Sequence, residues 1–193
     1  MRNKILLAMS VAGMMCSATA FADGSAATAT ASGKFTAIGT ITNAPCDIKP
    51  GDEDLIVNFN QVSNKKLKAQ NTADATNVRH VSIHLANCSF EAGQANQPDL
   101  LSKVTMTFSG NQSADGKYFT NSTASGMAGN VGLLLRKTNG DEIIPSTGIA
   151  DLQLTAGDNN TINFDALLVN TGAENSVTTG EINIPVTYTL TYQ

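Results

Sequence analysis

The chain has 193 residues, with 12 lysines and arginines against 16 aspartates and glutamates, and its net charge at pH 7 is −4. This acidic balance argues against a nucleic-acid partner, because proteins that bind nucleic acids need a basic surface. The length suits a single domain with a full hydrophobic core.

The first residues predict a secretory signal peptide. Arg2 and Lys4 precede an apolar run, and Ala20-Phe21-Ala22 is a small-x-small cleavage signal. This run, like every later one, is shorter than the roughly 20 residues of a membrane-spanning helix, which argues against a membrane anchor or any transmembrane segment. We expect residues 1–22 to be a signal peptide that is cleaved between Ala22 and Asp23. Cleavage leaves ten basic and sixteen acidic residues, a net charge near −6.

The mature chain is expected to start with a tail and continue in short β-strands. Residues 23–32, DGSAATATAS, bury too little apolar surface to order themselves, which predicts a disordered tail. From Phe35 onward, apolar and polar residues alternate in short runs that are typical of half-buried strands. The predicted strands cover residues 35–41, 55–59, 78–88, 104–108, 118–119, 131–135, 142–144, 152–154, 161–169 and 182–192.

Turn signals separate these runs. Asn139-Gly140 lies between two apolar runs and indicates a β-hairpin. Residues 65–69 suit a single helical turn, and neither an internal repeat nor a second domain is evident. Many short strands with frequent turns predict an all-β sandwich.

The cysteines predict one disulfide. Cys16 is expected to leave with the signal peptide, so Cys46 and Cys88 remain as an even pair in an exported chain. Export implies an oxidising compartment, in which such a pair forms a disulfide. A metal site is the weaker alternative, because the chain has no C-x-x-C motif. Closing a loop of about 42 residues stabilises the fold by roughly 4 kcal/mol in the chain-entropy model.

Other polar residues do not form a chemical site. His80 and His84 are four residues apart, which places them about 13 Å apart along a strand and prevents shared metal ligation. Their parity is opposite to that of the apolar residues of the same run, so we expect them to face solvent. The acidic residues 52–54 lack the spacing of a calcium loop. Because no catalytic motif is present either, we expect no enzyme activity, no metal and no cofactor.

The last run is the most regular of the chain. Apolar side chains occupy every second position, namely Ile182, Ile184, Val186, Tyr188, Leu190 and Tyr192. Chain ends usually fray unless something holds them. A strand of this regularity at the end of the sequence therefore needs a pairing partner.

Three features together resemble the subunits of chaperone–usher pili, in the type 1 and P fimbrial pilin family. Gly180 is the fourteenth residue from the end, Tyr192 is penultimate, and an alternating strand lies between them. Residues 33–46 resemble the first strand of these subunits, in which a glycine and an alternating strand precede Asn-x-x-Cys. Cys88 follows another alternating strand, as the second cysteine of the family does. The resemblance covers the whole mature chain.

The resemblance implies an incomplete immunoglobulin-like β-sandwich that is completed by a donor strand from a neighbouring subunit. Donor-strand complementation of pilins is a form of β-augmentation, in which an unpaired sheet edge binds another chain. A periplasmic chaperone is expected to bind the same groove first, with basic residues that anchor the terminal carboxylate. The expected chaperone and groove residues are Gly180, Ile182, Ile184, Val186, Tyr188, Leu190, Tyr192 and Gln193.

The resemblance also implies that residues 23–33 are a donor-strand extension and that residues 34–193 are the pilin domain. Alternate residues of the extension would point into a neighbour's groove. Most are alanines where relatives carry larger aliphatics, so main-chain hydrogen bonds would carry more of the affinity. The sequence does not fix the register of this strand in the groove, and Thr28 or Thr30 are the alternative inward residues. The competing interpretation is a flexible tail that is not a donor strand. The expected inward residues are Ala27, Ala29, Ala31, Gly33 and Phe35.

The expected function is a structural subunit of an adhesive fimbria that polymerises head-to-tail with neighbouring pilins. Its partners would be the chaperone and an outer-membrane usher, and it would pass through the periplasm to the cell surface. Its small residues and complete tail favour the major shaft subunit over a minor or adaptor pilin. A tip adhesin is disfavoured, because 171 mature residues leave no room for a lectin domain. The alternative function is that of a secreted immunoglobulin-like binding domain. Such a domain would be self-complete, with all of its own strands, and would fold without a chaperone.

Overall fold

Alternating apolar residues produce short antiparallel strands throughout the described part of the chain. The computed structural model describes residues 36–37, 39–69, 73–95 and 99–193. The predicted signal peptide, its cleavage site at Ala22 and Asp23, and the predicted donor residues lie outside the described residues.

Eight strands and one 3₁₀ turn are formed by the described residues. The strands are β1 (Asp47–Ile48), β2 (Arg79–Ala86), β3 (Lys103–Gly110), β4 (Phe119–Thr120), β5 (Val131–Lys137), β6 (Ile149–Gln153), β7 (Asn160–Asn170) and β8 (Val186–Tyr192). The 3₁₀ turn covers Asn64–Lys66 and overlaps the first two residues of the helical turn predicted at residues 65–69. Within this part of the chain, no helix is long and apolar enough to cross a membrane.

The strands form two antiparallel sheets. One sheet has five strands in the order β1-β2-β7-β5-β4, and the other has three strands in the order β6-β3-β8. The all-β class predicted from the sequence is confirmed. The last strand, β8, lies at an edge of the smaller sheet and pairs only with β3 among the described strands.

Side chains from both sheets form the main core. Alternate residues of β2 and β3 point inward, and Ile83 of β2 and Met106 of β3 are fully buried. Phe108 of β3 packs edge-on against Phe164 of β7, with ring centroids 5.3 Å apart. Burial of each such side chain stabilises the fold by about 1.5–3 kcal/mol.

The predicted disulfide joins the start of β1 to the end of β2. Cys46 immediately precedes β1, Cys88 follows β2, and their sulfur atoms are bonded. Both cysteines are buried against the main core. The disulfide prediction is therefore confirmed.

The histidines of β2 point away from the core, as predicted. His80 Nδ1 lies 2.6 Å from Asp165 Oδ1 on β7, and the His80 side chain is 82% exposed. His84 Nδ1 lies 2.8 Å from Asp52 Oδ2. Each histidine therefore has one carboxylate neighbour, and the two residues do not share a site.

Several strand predictions were wrong in extent. Residues 39–41 and 55–59 are not strands, and Ile41 is fully exposed. Residues 142–144 continue the predicted hairpin only through a bridge between Arg136 and Glu142. The last strand begins at Val186 rather than Ile182, because Pro185 has no N–H to donate to a ladder. Alternation predicted the half-buried side chains of Val57, Phe59 and Ile184 but not the exposure of Ile41, and a strand also requires a paired backbone.

Candidate strand-binding groove

A deep apolar groove opens between the two sheets beside the last strand. Its two walls are residues 54–62 and residues 177–188, and its volume is 1080 Å³. The floor consists of core side chains from both sheets. They include Val81, Ile83, Phe108, Leu133, Leu135 and Phe164. Most of these side chains are buried by their neighbours in the two sheets, so the groove is the space above a covered core.

Within the described ranges of the chain, the backbone of β8 is paired on one side only. Gln193 and Lys103 exchange two backbone hydrogen bonds, at 2.9 and 3.1 Å. In an antiparallel ladder such pairs alternate with pairs that make no mutual hydrogen bond. In this register, the backbones of Thr187, Thr189 and Thr191 therefore form the hydrogen bonds with β3. The N–H and C=O groups of the even-numbered residues point away from β3, toward the open edge.

The side chains of β8 follow the same alternation. Val186, Tyr188, Leu190 and Tyr192 are half-buried and pack against the main core, whereas the threonines between them are exposed. The even-numbered residues thus combine an inward side chain with an unpaired backbone. An edge with both features is a template for another strand.

The opposite wall, residues 54–62, is also unpaired. Among the described residues, none forms a backbone–backbone hydrogen bond with this wall. Val57 and Phe59 are half-buried and contact the core, while Asn58 between them is exposed and Ile56 before them is 89% exposed. The wall therefore alternates exposed and half-buried side chains at residues 56–59, like a strand that lacks its ladder partner.

A buried amide holds the second wall in place. The Asn121 side chain donates to the carbonyl oxygens of Ala128 and Glu181, both at 2.9 Å, and accepts from the N–H of Asn183 at 2.8 Å. Gly180 lies against the backbone of residues 126–128, where any Cβ would collide with Met127 and Ala128. These contacts explain the glycine at this position and fix the wall that leads into β8.

A hydrogen bond from β8 closes one end of the groove. Tyr188 Oη donates to the carbonyl oxygen of Asp52 at 2.8 Å. The Asp52 carboxylate accepts from the backbone N–H of His84 at 2.6 Å, and this bond is the main cause that lowers the pKa of Asp52. Burial raises the pKa of Tyr188, and the nearby acidic residues Asp52 and Glu53 raise it further. Tyr188 is therefore a neutral donor at physiological pH.

The structure separates the predicted groove residues into two groups. Five of them line the groove, namely Gly180, Ile182, Ile184, Val186 and Tyr188. The other three, Leu190, Tyr192 and Gln193, follow on the same strand beyond the contact with Asp52. Sequence reasoning missed Asn121 and Asp52 as residues that shape the groove. No local pattern marks either residue, since their partners are distant in the chain.

Comparison with known proteins identifies the family. The family described as "Fimbrial protein" matches residues 35–193, which is most of the chain. The chain belongs to the fimbrial protein family. It is therefore a fimbrial subunit, a structural protein of surface fimbriae rather than an enzyme.

Individual relatives agree with this assignment. Fimbria A protein of Serratia marcescens is 31% identical over 193 residues, which cover 99% of this chain and 98% of that protein. Major MR/P fimbria protein of Proteus mirabilis (strain HI4320) is 31% identical over 157 residues, 81% of each chain. The crystal structure of the P pilus rod subunit PapA has a TM-score of 0.62 and 21% identity, covering 78% of this chain and 100% of that chain. At this sequence identity, the similarity to the PapA structure shows a shared fold.

Proposed function

We propose that this fimbrial subunit polymerises by donor-strand exchange, in which residues 23–33 of one copy occupy the groove of the next. The observation that carries the proposal is the alternation on β8. Val186 and Tyr188 present inward side chains and unpaired backbone groups to an open apolar groove. Only an added strand satisfies both requirements at once.

The tail suits this role in length and pattern. Residues 23–33 number eleven, and the groove wall at residues 177–188 numbers twelve. Ala27, Ala29, Ala31 and Gly33 alternate with polar residues, so one face of the tail is small and apolar. The main affinity of the tail would come from hydrogen bonds to the two unpaired walls.

The proposed assembly runs through a chaperone and an usher. A periplasmic chaperone lends a strand to the groove and contacts the carboxylate of Gln193, and the tail of the next subunit replaces that strand at the usher. Each subunit then donates to one neighbour and accepts from another, so the contact is heterologous and does not close into a ring. Such a polymer is a filament. We place the subunit in the shaft as the major pilin, a role supported by the major subunit among its relatives.

Replacement of the tail tests the proposal. A variant with residues 23–32 replaced by an equally long Gly/Ser segment keeps the groove intact but loses the donor. We expect this variant to co-purify with the chaperone and to accept wild-type tails, but not to follow another subunit into a fibre. Electron microscopy of fibres from cells that express only the variant checks this. Normal fibres from the variant would refute donor-strand exchange through this tail.

A further inference from the structure

Arg79, the first residue of β2, spans the space between its strand and the groove wall at residues 54–62. Its Nε donates to the carbonyl oxygen of Asn58 at 2.7 Å, and its Nη2 donates to the carbonyl oxygen of Phe59 at 3.2 Å. The guanidinium also lies 5.5 Å from the centroid of the Phe59 ring, within the range of a cation–π contact. Three interactions from one side chain therefore converge on two consecutive wall residues.

A local turn makes this double contact possible. Consecutive carbonyls of a regular strand point in opposite directions, so one guanidinium cannot normally reach both. Here the N–H of Asn60 donates to Asn58 Oδ1 at 2.7 Å, and Asn60 adopts φ 54°. Asparagine tolerates this left-handed conformation better than most residues. The turn brings both carbonyl oxygens to the Arg79 side of the wall.

Residues 54–62 make few other contacts with β2. A gap of 240 Å³ separates residues 55–58 from Arg79 and the next three residues of β2. No described residue forms a backbone–backbone hydrogen bond with residues 54–62. The position of the wall at its centre therefore depends on side-chain contacts, and those of Arg79 attach its backbone directly to the sheet.

We propose that Arg79 is a positioning residue for strand capture, a role that rests on the proposed function. It fixes the distance of Phe59 from β2 and so sets the width of the groove before a donor strand enters. Its hydrogen bonds to the wall go to the carbonyls of Asn58 and Phe59, so it leaves the other backbone groups of the wall free of its own contacts and able to pair with that strand. Once the strand is in place, the ladder itself holds the wall.

This role predicts a kinetic effect that is separate from stability. Arg79→Lys keeps the charge but loses the planar fork that reaches two acceptors. We expect the chaperone-bound mature chain with this substitution to capture a labelled peptide of residues 23–34 about tenfold more slowly than wild type, which corresponds to one lost charge-assisted hydrogen bond. The unfolding temperature of finished fibres should not change. Lys103→Met, which removes an exposed cation on β3, is the control and should change neither quantity.

Each outcome of this experiment is decisive. Equal capture rates for Arg79→Lys and wild type would overturn the positioning role and leave the proposed function standing. A variant that loses fibre stability along with capture, or that does not accumulate with the chaperone, would show that Arg79 is merely structural. Failure of the wild-type subunit to capture the peptide would refute the proposed function, and this inference with it.

Discussion

On β8, odd-numbered and even-numbered residues point their side chains in opposite directions. The threonines at 187, 189 and 191 pair with β3 and face solvent, while their neighbours face the core and have no backbone partner in the described part of the chain. A substitution at an odd position therefore changes the surface, whereas a substitution at an even position changes the groove. Adjacent residues of one strand thus provide a test and its control.

Tyr188→Asp is expected to abolish the complex with the chaperone and to lower the yield of the subunit. An unpaired carboxylate at a half-buried apolar position costs several kcal/mol, and the hydrogen bond to Asp52 is also lost. Leu190→Asp should act in the same direction. Thr189→Asp, on the exposed face of the same strand, should leave the complex intact. The measurement is co-purification with the chaperone, and equal recovery of all three variants would contradict a groove-facing role for the even positions.

Cys46→Ser is expected to make the subunit unstable in the periplasm. The bond to Cys88 closes a loop over a sequence separation of 42 residues. Its removal costs roughly 4 kcal/mol in the chain-entropy model, a large part of the stability of a single domain. Quantitative immunoblotting of periplasmic extracts checks this. Cys16→Ser, within the predicted signal peptide, is the control, and wild-type levels of Cys46→Ser would show that the disulfide is dispensable.

Among the elements, those with backbone partners on both sides were predictable from the sequence. The alternating run of β2 and the apolar run of β7 lie inside the five-stranded sheet, where pattern and pairing agree. Residues 55–59 show the same alternation but have no ladder partner, so the strand prediction was wrong there. The alternation itself remains visible in the half-buried Val57 and Phe59. Periodicity thus predicted half-buried side chains at Val57 and Phe59, whereas the groove beside the last strand was implied by the family resemblance, and residues 54–62 were not predicted as its other wall.

The wall that leads into β8 depends on Asn121. Asn121→Ala leaves the carbonyl oxygens of Ala128 and Glu181 and the N–H of Asn183 without this partner. We expect a loss of about 2–4 kcal/mol, because buried polar groups would lose their hydrogen bonds. The denaturation midpoint of assembled fibres in urea measures this loss. Asn183→Ala keeps the backbone N–H and removes only an exposed side chain, so a loss as large as that of Asn121→Ala would argue against the amide as the cause.

At the scale of the whole molecule, the part of the chain that the structure describes has an apolar groove along one edge of its two sheets. Family membership shows that the chain is a fimbrial subunit, and the groove gives a physical reason for assembly. The sequence alone indicated an unpartnered last strand through its regular alternation. It did not indicate the contacts of Arg79, Asp52 and Asn121 that shape the groove, because each joins segments that are far apart in the chain. Release of a captured strand would require unpairing it from both walls, which favours kinetic persistence of the fibre.

The central claim is that an added tail completes the ladder on the free edge of β8. Amide hydrogen exchange, resolved by residue, tests it most directly in the tail-replaced subunit before and after addition of the peptide of residues 23–34. We predict that the N–H groups of Thr187 and Thr189 are protected in both states, and that those of Val186 and Tyr188 become protected only when the peptide is bound. Equal protection of all four amides without the peptide would mean that the sandwich is already closed, and would contradict the account.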